Sequence, residues 1–332
     1  MDLITQGVIG AAAAQCAAKP QRLRVAALAG AVGGWLPDLD VLIRSPSDPL
    51  LFLEYHRHFT HSLLFIPLGA LLAAAITRLL TKKRETIAAL YLPSLLGIAT
   101  HGLLDSCTSY GTQLLWPFSS ERVAWHVIPI VDPLFTVSLL IGVAWATWRH
   151  SRTAARVGFG VAMAYLGLCI AQLHKAQTAH AALIAERGHE GQDPQVKPAI
   201  GSNILYRAFY THEGRYYTDA IRVPWVGASR VYEGKRVRVL DLDAYKERYA
   251  LDALRRSDID RFSHFSSGYL IEDPRACGIL SDFRYAALPN DIAPLWGIDV
   301  LGTPIGEHLE FHRWSGLEQE DRDRFMDMMM GR

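Results

Sequence analysis

His101 and Asp105 stand four residues apart in a stretch with helical patterning. On a helix both side chains then leave one face about a turn apart, as two ligands of a single cation must. Two further groups offer the same kind of atom. Pro37-Asp38-Leu39-Asp40 presents carboxylates from a turn stiffened by proline, and His56-Arg57-His58-Phe59-Thr60-His61-Ser62 presents imidazoles. Mixed His and carboxylate ligation suits zinc, manganese or iron better than calcium, with zinc the leading candidate for the divalent metal. Each group alone has a plainer use. An HxxxD pair is commonly a surface or capping pair, PDLD a helix stop followed by an N-cap, and HRHFTHS a polar segment in headgroup water. Asp132, in Val131-Asp132-Pro133, fits a ligand, an acceptor for a ligating histidine, or an N-cap before proline equally well.

What would bring the groups together is a set of membrane helices. Half of the 332 residues are apolar, and the mean hydropathy is +0.10, high for a fully soluble chain. Four uncharged or nearly uncharged stretches approach the length needed to cross the hydrocarbon layer: 62–80, 86–104, 133–148 and 157–173. Ahead of them, 3–18 and 25–36 are rich in Ala and Gly, which lets helices approach closely in lipid, and predict a tight hairpin. Lys19, Arg22 and Arg24 follow the first apolar run instead of preceding it, which argues against a cleaved leader.

Six helices put alternate turns on two faces. One face receives Lys19, Arg22, Arg24, Lys82, Lys83, Arg84, Arg149, Arg152 and Arg156; the loops of the other hold only Arg44, Arg57 and Arg122. The positive face is expected to be cytoplasmic. Lys and Arg alone therefore place PDLD, HRHFTHS and the end of the His101 helix together on the opposite face, where ionisable groups are costly unless paired or functional.

The tail after residue 175 is expected on that outer side. Beyond a polar linker with Gly188, Gly191, Pro194 and Pro198, alternating aromatic-rich runs at 204–210, 215–223, 235–240, 269–272, 278–285 and 309–314 predict strands, and 243–261 reads as one or two amphipathic helices. A net charge of +1 excludes binding to nucleic acid by bulk charge. Cys16, Cys107, Cys169 and Cys277 show no paired spacing, so neither a disulfide framework nor a thiolate metal cluster is indicated. No glycine-rich phosphate loop or GxSxG elbow occurs.

Met1-Asp2-Leu3-Ile4-Thr5-Gln6, the PDLD turn, His56-Arg57 with Thr60-His61-Ser62, Thr100-His101-Gly-Leu-Leu-Asp105, Tyr110-Gly111-Thr112-Gln113 with Trp116-Pro117-Phe118, and Val131-Asp132-Pro133 together resemble the YdjM family of inner-membrane proteins, whose metal-dependent hydrolase label rests on this motif pattern. In the tail, Ser202-Asn203-Ile204-Leu205-Tyr206, Phe265-Ser266-Ser267-Gly268-Tyr269 and Ser281-Asp282-Phe283-Arg284-Tyr285 resemble the soluble domain of its long members. The resemblance implies Asp38, Asp40, His56, His61, His101 and Asp105 as metal-site residues, with Arg57 and Asp132 close by. His58 stands where the family usually has Gly, which argues that it is not a required ligand. A looser likeness in logic is to zinc-dependent phospholipase C, confined to the HxxxD pair.

The sequence thus predicts an α-helical membrane domain of about six helices over 1–175, a linker over 176–200, and a smaller α+β domain over 201–332 with a mainly antiparallel sheet. It points to metal-assisted hydrolysis of an ester or phosphoester, on a lipid or lipid-linked substrate. Asp38, Asp40, Arg57 and Asp132 are the candidates for catalysis: a free carboxylate as general base and Arg57 gripping an anionic substrate. A non-catalytic metal-stabilised scaffold fits nearly as well. A transporter fits less, because it would scatter ionisable groups toward the midplane and here they crowd one end.

Overall fold

A computed structural model describes residues 1–249, 251–314 and 318–332. The chain opens with α1 (Leu3–Ala17), capped by the Asp2 carboxylate, and α2 (Leu23–Trp35), which runs into a 3-10 helix over Leu36–Leu42. After the short α3 (Leu51–Tyr55) come α4 (Ile66–Leu80), α5 (Ile87–Ser106), α6 (Pro133–Arg149) and α7 (Arg152–Glu186). Among the described residues, Pro20–Leu42, Leu63–Leu80, Ile87–Ser106 and Arg152–Glu186 are long and apolar enough to cross a membrane. At 15 and 17 residues, α1 and α6 reach only about 22 and 26 Å at 1.5 Å per residue, short of the ~30 Å hydrocarbon layer.

The expected hairpin is tight because glycines let backbones touch. A Cβ on Gly10 would lie 2.3 Å from the Gly30 carbonyl oxygen of α2, and one on Gly97 of α5 would lie 2.1 Å from the same oxygen. Gly33 meets Ser94 and Gly34 meets Gln6 in the same way. Three helices are thereby held at backbone contact, which fixes the register of everything they carry.

By its contacts the chain forms two units: Met1–Leu42 with Tyr55–Ala171 and Ile200–Ser202, and Ile43–Glu54 with Gln172–Ala199 and Asn203–Arg332. In the second, β1 (Gln192–Pro198), β2 (Leu205–His212), β3 (Arg215–Arg222) and β4 (Arg230–Arg238) form one antiparallel sheet in that order. Helices α8 (Leu242–Arg248) and α9 (Ala253–Phe265) precede a second antiparallel sheet of β5 (Leu270–Glu272), β6 (Ile279–Asp282), β7 (Trp296–Asp299) and β8 (Glu310–Arg313), and α10 (Gln319–Met330) ends the chain. The sheets share a core in which Phe209 and Tyr216 meet Ile271 and Phe283.

Two expectations change. Where a linker was expected over 176–200 there is regular structure: α7 continues to Glu186 through an alanine-rich run of strong helix formers, and β1 takes half of the remainder. The tail carries two sheets, and β1 and β7 lie outside the expected strands. The tail motifs turn out to build the core. Arg284 binds the Asp282 carboxylate at 2.8 Å, the Phe265 carbonyl at 2.7 Å and Ser267 at 3.2 Å, tying the FSSGY and SDFRY segments into one knot.

Candidate metal centre

Asp38, His61, His101 and Asp105 converge. One donor atom from each lies within 4.8 Å of the other three. His101 and Asp105 come from the buried face of α5, as their spacing predicts. Asp38 comes from the 3-10 helix that extends α2, and His61 from a single 3-10 turn ending at the Ser62 cap.

The spacing is that of a small cation site. His61 Nε2 lies 3.2 Å from Asp105 Oδ2 and 3.6 Å from Asp38 Oδ1. His101 Nε2 lies 3.5 Å from Asp38 Oδ1 and 3.6 Å from Asp105 Oδ2. The two Nε2 atoms are 2.9 Å apart. Ligands at about 2.0–2.1 Å around a tetrahedral zinc are themselves about 3.3 Å apart, close to these five edges of 2.9 to 3.6 Å.

The protonation logic points the same way. His101 Nδ1 faces the Gly34 carbonyl oxygen at 2.6 Å, and a carbonyl only accepts, so that nitrogen carries the hydrogen. His61 Nδ1 faces Asp40 Oδ2 at 3.2 Å, an acceptor as well. With both Nδ1 atoms donating, the two Nε2 atoms face each other, and either a proton shared between them or a cation ligated by both satisfies that arrangement. Asp105 Oδ2 is buried beside them, 3.2 Å from both His61 Nε2 and Arg57 Nε. Burial disfavours charge on His61, yet Asp105, Asp38 and Asp40 outweigh it and push the imidazole up to about 10.

Of the other predicted residues, Asp40 and His56 form a supporting layer. Asp40 is 2% exposed and accepts from His56 Nδ1 at 2.9 Å, the Arg57 amide at 2.9 Å and the Thr60 hydroxyl at 3.1 Å, besides facing His61. Its oxygens are spent on folding segment 56–61 around itself. The Arg57 side chain is buried, with Nε 3.2 Å from Asp105 Oδ2, Nη1 2.9 Å from Thr108 and the guanidinium 4.8 Å over the Tyr110 ring. The resemblance placed Arg57 close to the ligands, and the structure pairs it with one of them, Asp105. Asp132 caps α6 through the Phe135 amide at 3.0 Å and accepts from the Tyr165 hydroxyl at 2.9 Å, which is the capping alternative.

Gln6 was missed. Its side-chain amide donates to Asp105 Oδ1 at 2.8 Å, and the Met1 amino group binds the same oxygen. The available signal was thin: Gln6 is one of two glutamines, with Gln15, on a mostly apolar helix. Beside His61 a narrow crevice runs between Thr60, Ser62, Leu63 and Ile66 on one side and Ile98, Gly102 and Leu103 on the other.

The profile of the YdjM inner membrane protein family matches residues 1–176, which carry the entire cluster. The chain belongs to the YdjM inner membrane protein family. It is 29% identical over 125 residues to the uncharacterized protein YfhP of Bacillus subtilis, covering 38% of each chain. It is 36% identical over 106 residues to the inner membrane protein YbcI of Escherichia coli, covering 31% of this chain and 60% of YbcI. The chain therefore spans about two fifths and three fifths of the lengths of these relatives. No solved structure matches it.

Proposed function

We propose that this family member is a metal-dependent hydrolase of an ester or phosphoester, acting on a lipid or lipid-linked substrate at the periplasmic face. The observation that carries the metal is the convergence of the His61 and His101 Nε2 atoms, 2.9 Å apart, with the Asp38 and Asp105 carboxylates. Asp38, His61, His101 and Asp105 would hold the ion, and two imidazoles with two carboxylates favour zinc over calcium. A cation there supplies Lewis acidity, polarising a carbonyl or phosphoryl oxygen and acidifying water.

The chain's own groups supply the rest. The Asp38 side chain is 18% exposed while those of His61, His101 and Asp105 are at 0 to 1%, so substrate approaches past Asp38, whose carboxylate is placed to take a proton from water. Arg57 holds a fixed positive charge beside Asp105 and steadies negative charge that develops at the site. The nine-to-three division of Lys and Arg supports a periplasmic site and tail. A reporter fused after Arg332 that works only in the cytoplasm would refute that placement.

Three of the four donors lie fully inside the helices, which is also what a structural metal would show. The separating experiment is hydrolysis of a panel of membrane esters and phosphoesters by purified protein, with bound metal quantified beside the rate. Metal-dependent turnover of any member supports the enzyme.

A further inference from the structure

Between Asp40 and His56 the chain makes an excursion, Ile43–Glu54, whose contacts belong to the second unit and not to the first. The excursion starts three residues after Asp40 and ends two before His56. Both its ends therefore run directly into the cluster. We propose that Arg261 of α9 is a positioning residue for the metal site, clamping this excursion so that the segments carrying Asp38 and His61 stay in register. The proposal rests on the metal reading above.

The clamp is a fork of charge-assisted bonds. Arg261 Nη1 and Nη2 lie 3.1 and 2.9 Å from the two oxygens of Asp48, and Nε lies 3.1 Å from Glu54 Oε2. A guanidinium makes this planar, two-carboxylate match; an ammonium does not. The fork stands on a fixed base. Arg261 Nη1 also reaches Asp258 Oδ1 at 3.1 Å, and Asp258, fully buried, accepts from the Leu309 amide at 2.9 Å and contacts His308 Nδ1 at 2.9 Å. An aromatic contact adds to the hold, with the Phe52 and Phe311 rings edge to face at 5.3 Å. On the excursion itself the Asp48 carboxylate accepts from the Leu50 amide just ahead of α3, and Leu50 and Leu53 are buried.

The consequence for the site follows from loop closure. Asp40 gathers His56, Arg57, Thr60 and His61 from the far end of the excursion. A clamped excursion presents those groups to Asp40 already close; a loose one makes the site meet the closure entropy each time it forms. Metal affinity is therefore built partly in the tail. This gives the soluble domain a role that its core motifs, consumed by packing, do not supply.

The test uses the full-length protein in lipid nanodiscs, with zinc affinity read by chelator competition and amide hydrogen exchange read along the whole chain. Arg261→Gln cuts the clamp from the tail side. Asp48→Asn with Glu54→Gln cuts it from the excursion side and leaves the Asp258 contacts to His308 and Leu309 in place. Both should weaken zinc binding about 10-fold, the size of a lost supporting contact, and speed exchange over residues 43–61, with exchange across both sheets unchanged. Arg261→Lys should fall between. If Arg261→Gln opens the sheets, the excursion-side variant alone decides. Wild type that binds zinc beside an excursion-side variant of equal affinity overturns the clamp and leaves the metal site standing. Wild type that binds no zinc overturns the metal site and this role with it.

Discussion

The Nδ1 of His101 lies 2.6 Å from the carbonyl oxygen of Gly34, and this one bond sets which nitrogen of the imidazole faces the metal cluster. Its length depends on how closely α2 approaches α5. That approach is possible only because Gly30, Gly33 and Gly97 carry no Cβ at the contact. A helix-packing motif thereby determines the tautomer of a ligand.

Gly34→Ala tests the link. The new Cβ would sit 2.2 Å from the Gln6 carbonyl oxygen, so α1 and α2 must separate, at a cost of about 1–3 kcal/mol for an overpacked contact. The Gly34 carbonyl moves with α2, and the His101 bond lengthens. Zinc affinity should fall about 10-fold, as for other losses of an orienting partner. A variant with normal affinity would show that the carbonyl does not orient His101.

Gln6→Leu and His58→Gly separate support from bystander. Gln6 donates to Asp105 Oδ1 from α1, so leucine leaves that oxygen with one partner fewer while keeping the side chain's bulk. About a 10-fold loss of metal affinity is expected, against a larger loss for His101→Ala or Asp105→Ala. His58→Gly restores the family's residue and should leave metal content unchanged. Equal metal content in wild type and His101→Ala, at matched purity, would refute the cluster as a metal centre.

The sequence shows some of this site and hides the rest, for reasons that can be named. His101 and Asp105 are legible because one helical period carries both, and the meeting of three clusters is legible because Lys and Arg report the faces. Asp38 and Asp40 are not separable by sequence. Two residues apart on a 3-10 helix they point differently, one toward solvent at 18% side-chain exposure and the other fully inside, and only the fold says which one ligates. Gln6 is hidden because a single amide has no period. In the tail, β1 contains Pro194 and Pro198 and sits at a sheet edge, where proline is tolerated, so it reads as linker. The excursion's allegiance to the tail depends on Arg261, 207 residues from Glu54, a pairing no local pattern encodes.

Lys197 gives a stability prediction with a definite sign. It is 4% exposed, with its amine 5.2 Å from the centres of the Phe209 and Tyr285 rings. Burial, reinforced by the Arg284 and Arg207 charges, holds it well below the usual 10.5. Between its folded value and 10.5 the unfolded chain binds the extra proton, so tail stability should rise with pH through that window. Lys197→Met removes the penalty and keeps the volume. The tail's melting midpoint should increase by about 2–8 °C near neutral pH, for about 1–2 kcal/mol recovered, and the pH slope should flatten. A less stable methionine variant would mean that the amine is held charged and favourably by the rings.

Arg57 and Asp38 separate an enzyme from a metal-stabilised scaffold, because they flank the donors from opposite sides. Arg57 is buried against Asp105 and Thr108, while Asp38 alone of the four donors opens to solvent. In a scaffold both serve only to hold the ion, so Arg57→Gln and Asp38→Asn should change metal affinity and the melting midpoint and nothing else. In the enzyme the charge on Arg57 acts on what develops in the reaction. At saturating zinc Arg57→Gln should then retain its metal and lose turnover by about 100-fold, the scale of one removed electrostatic contact. Asp38→Asn, which loses both a ligand charge and the proton acceptor, should show weakened metal binding and turnover that added zinc does not rescue. The measurement is the rate on membrane ester and phosphoester substrates, with zinc quantified in each sample. Wild-type protein that holds its zinc and turns over nothing across the panel would end the hydrolase reading, leaving a buried metal that stabilises the helices.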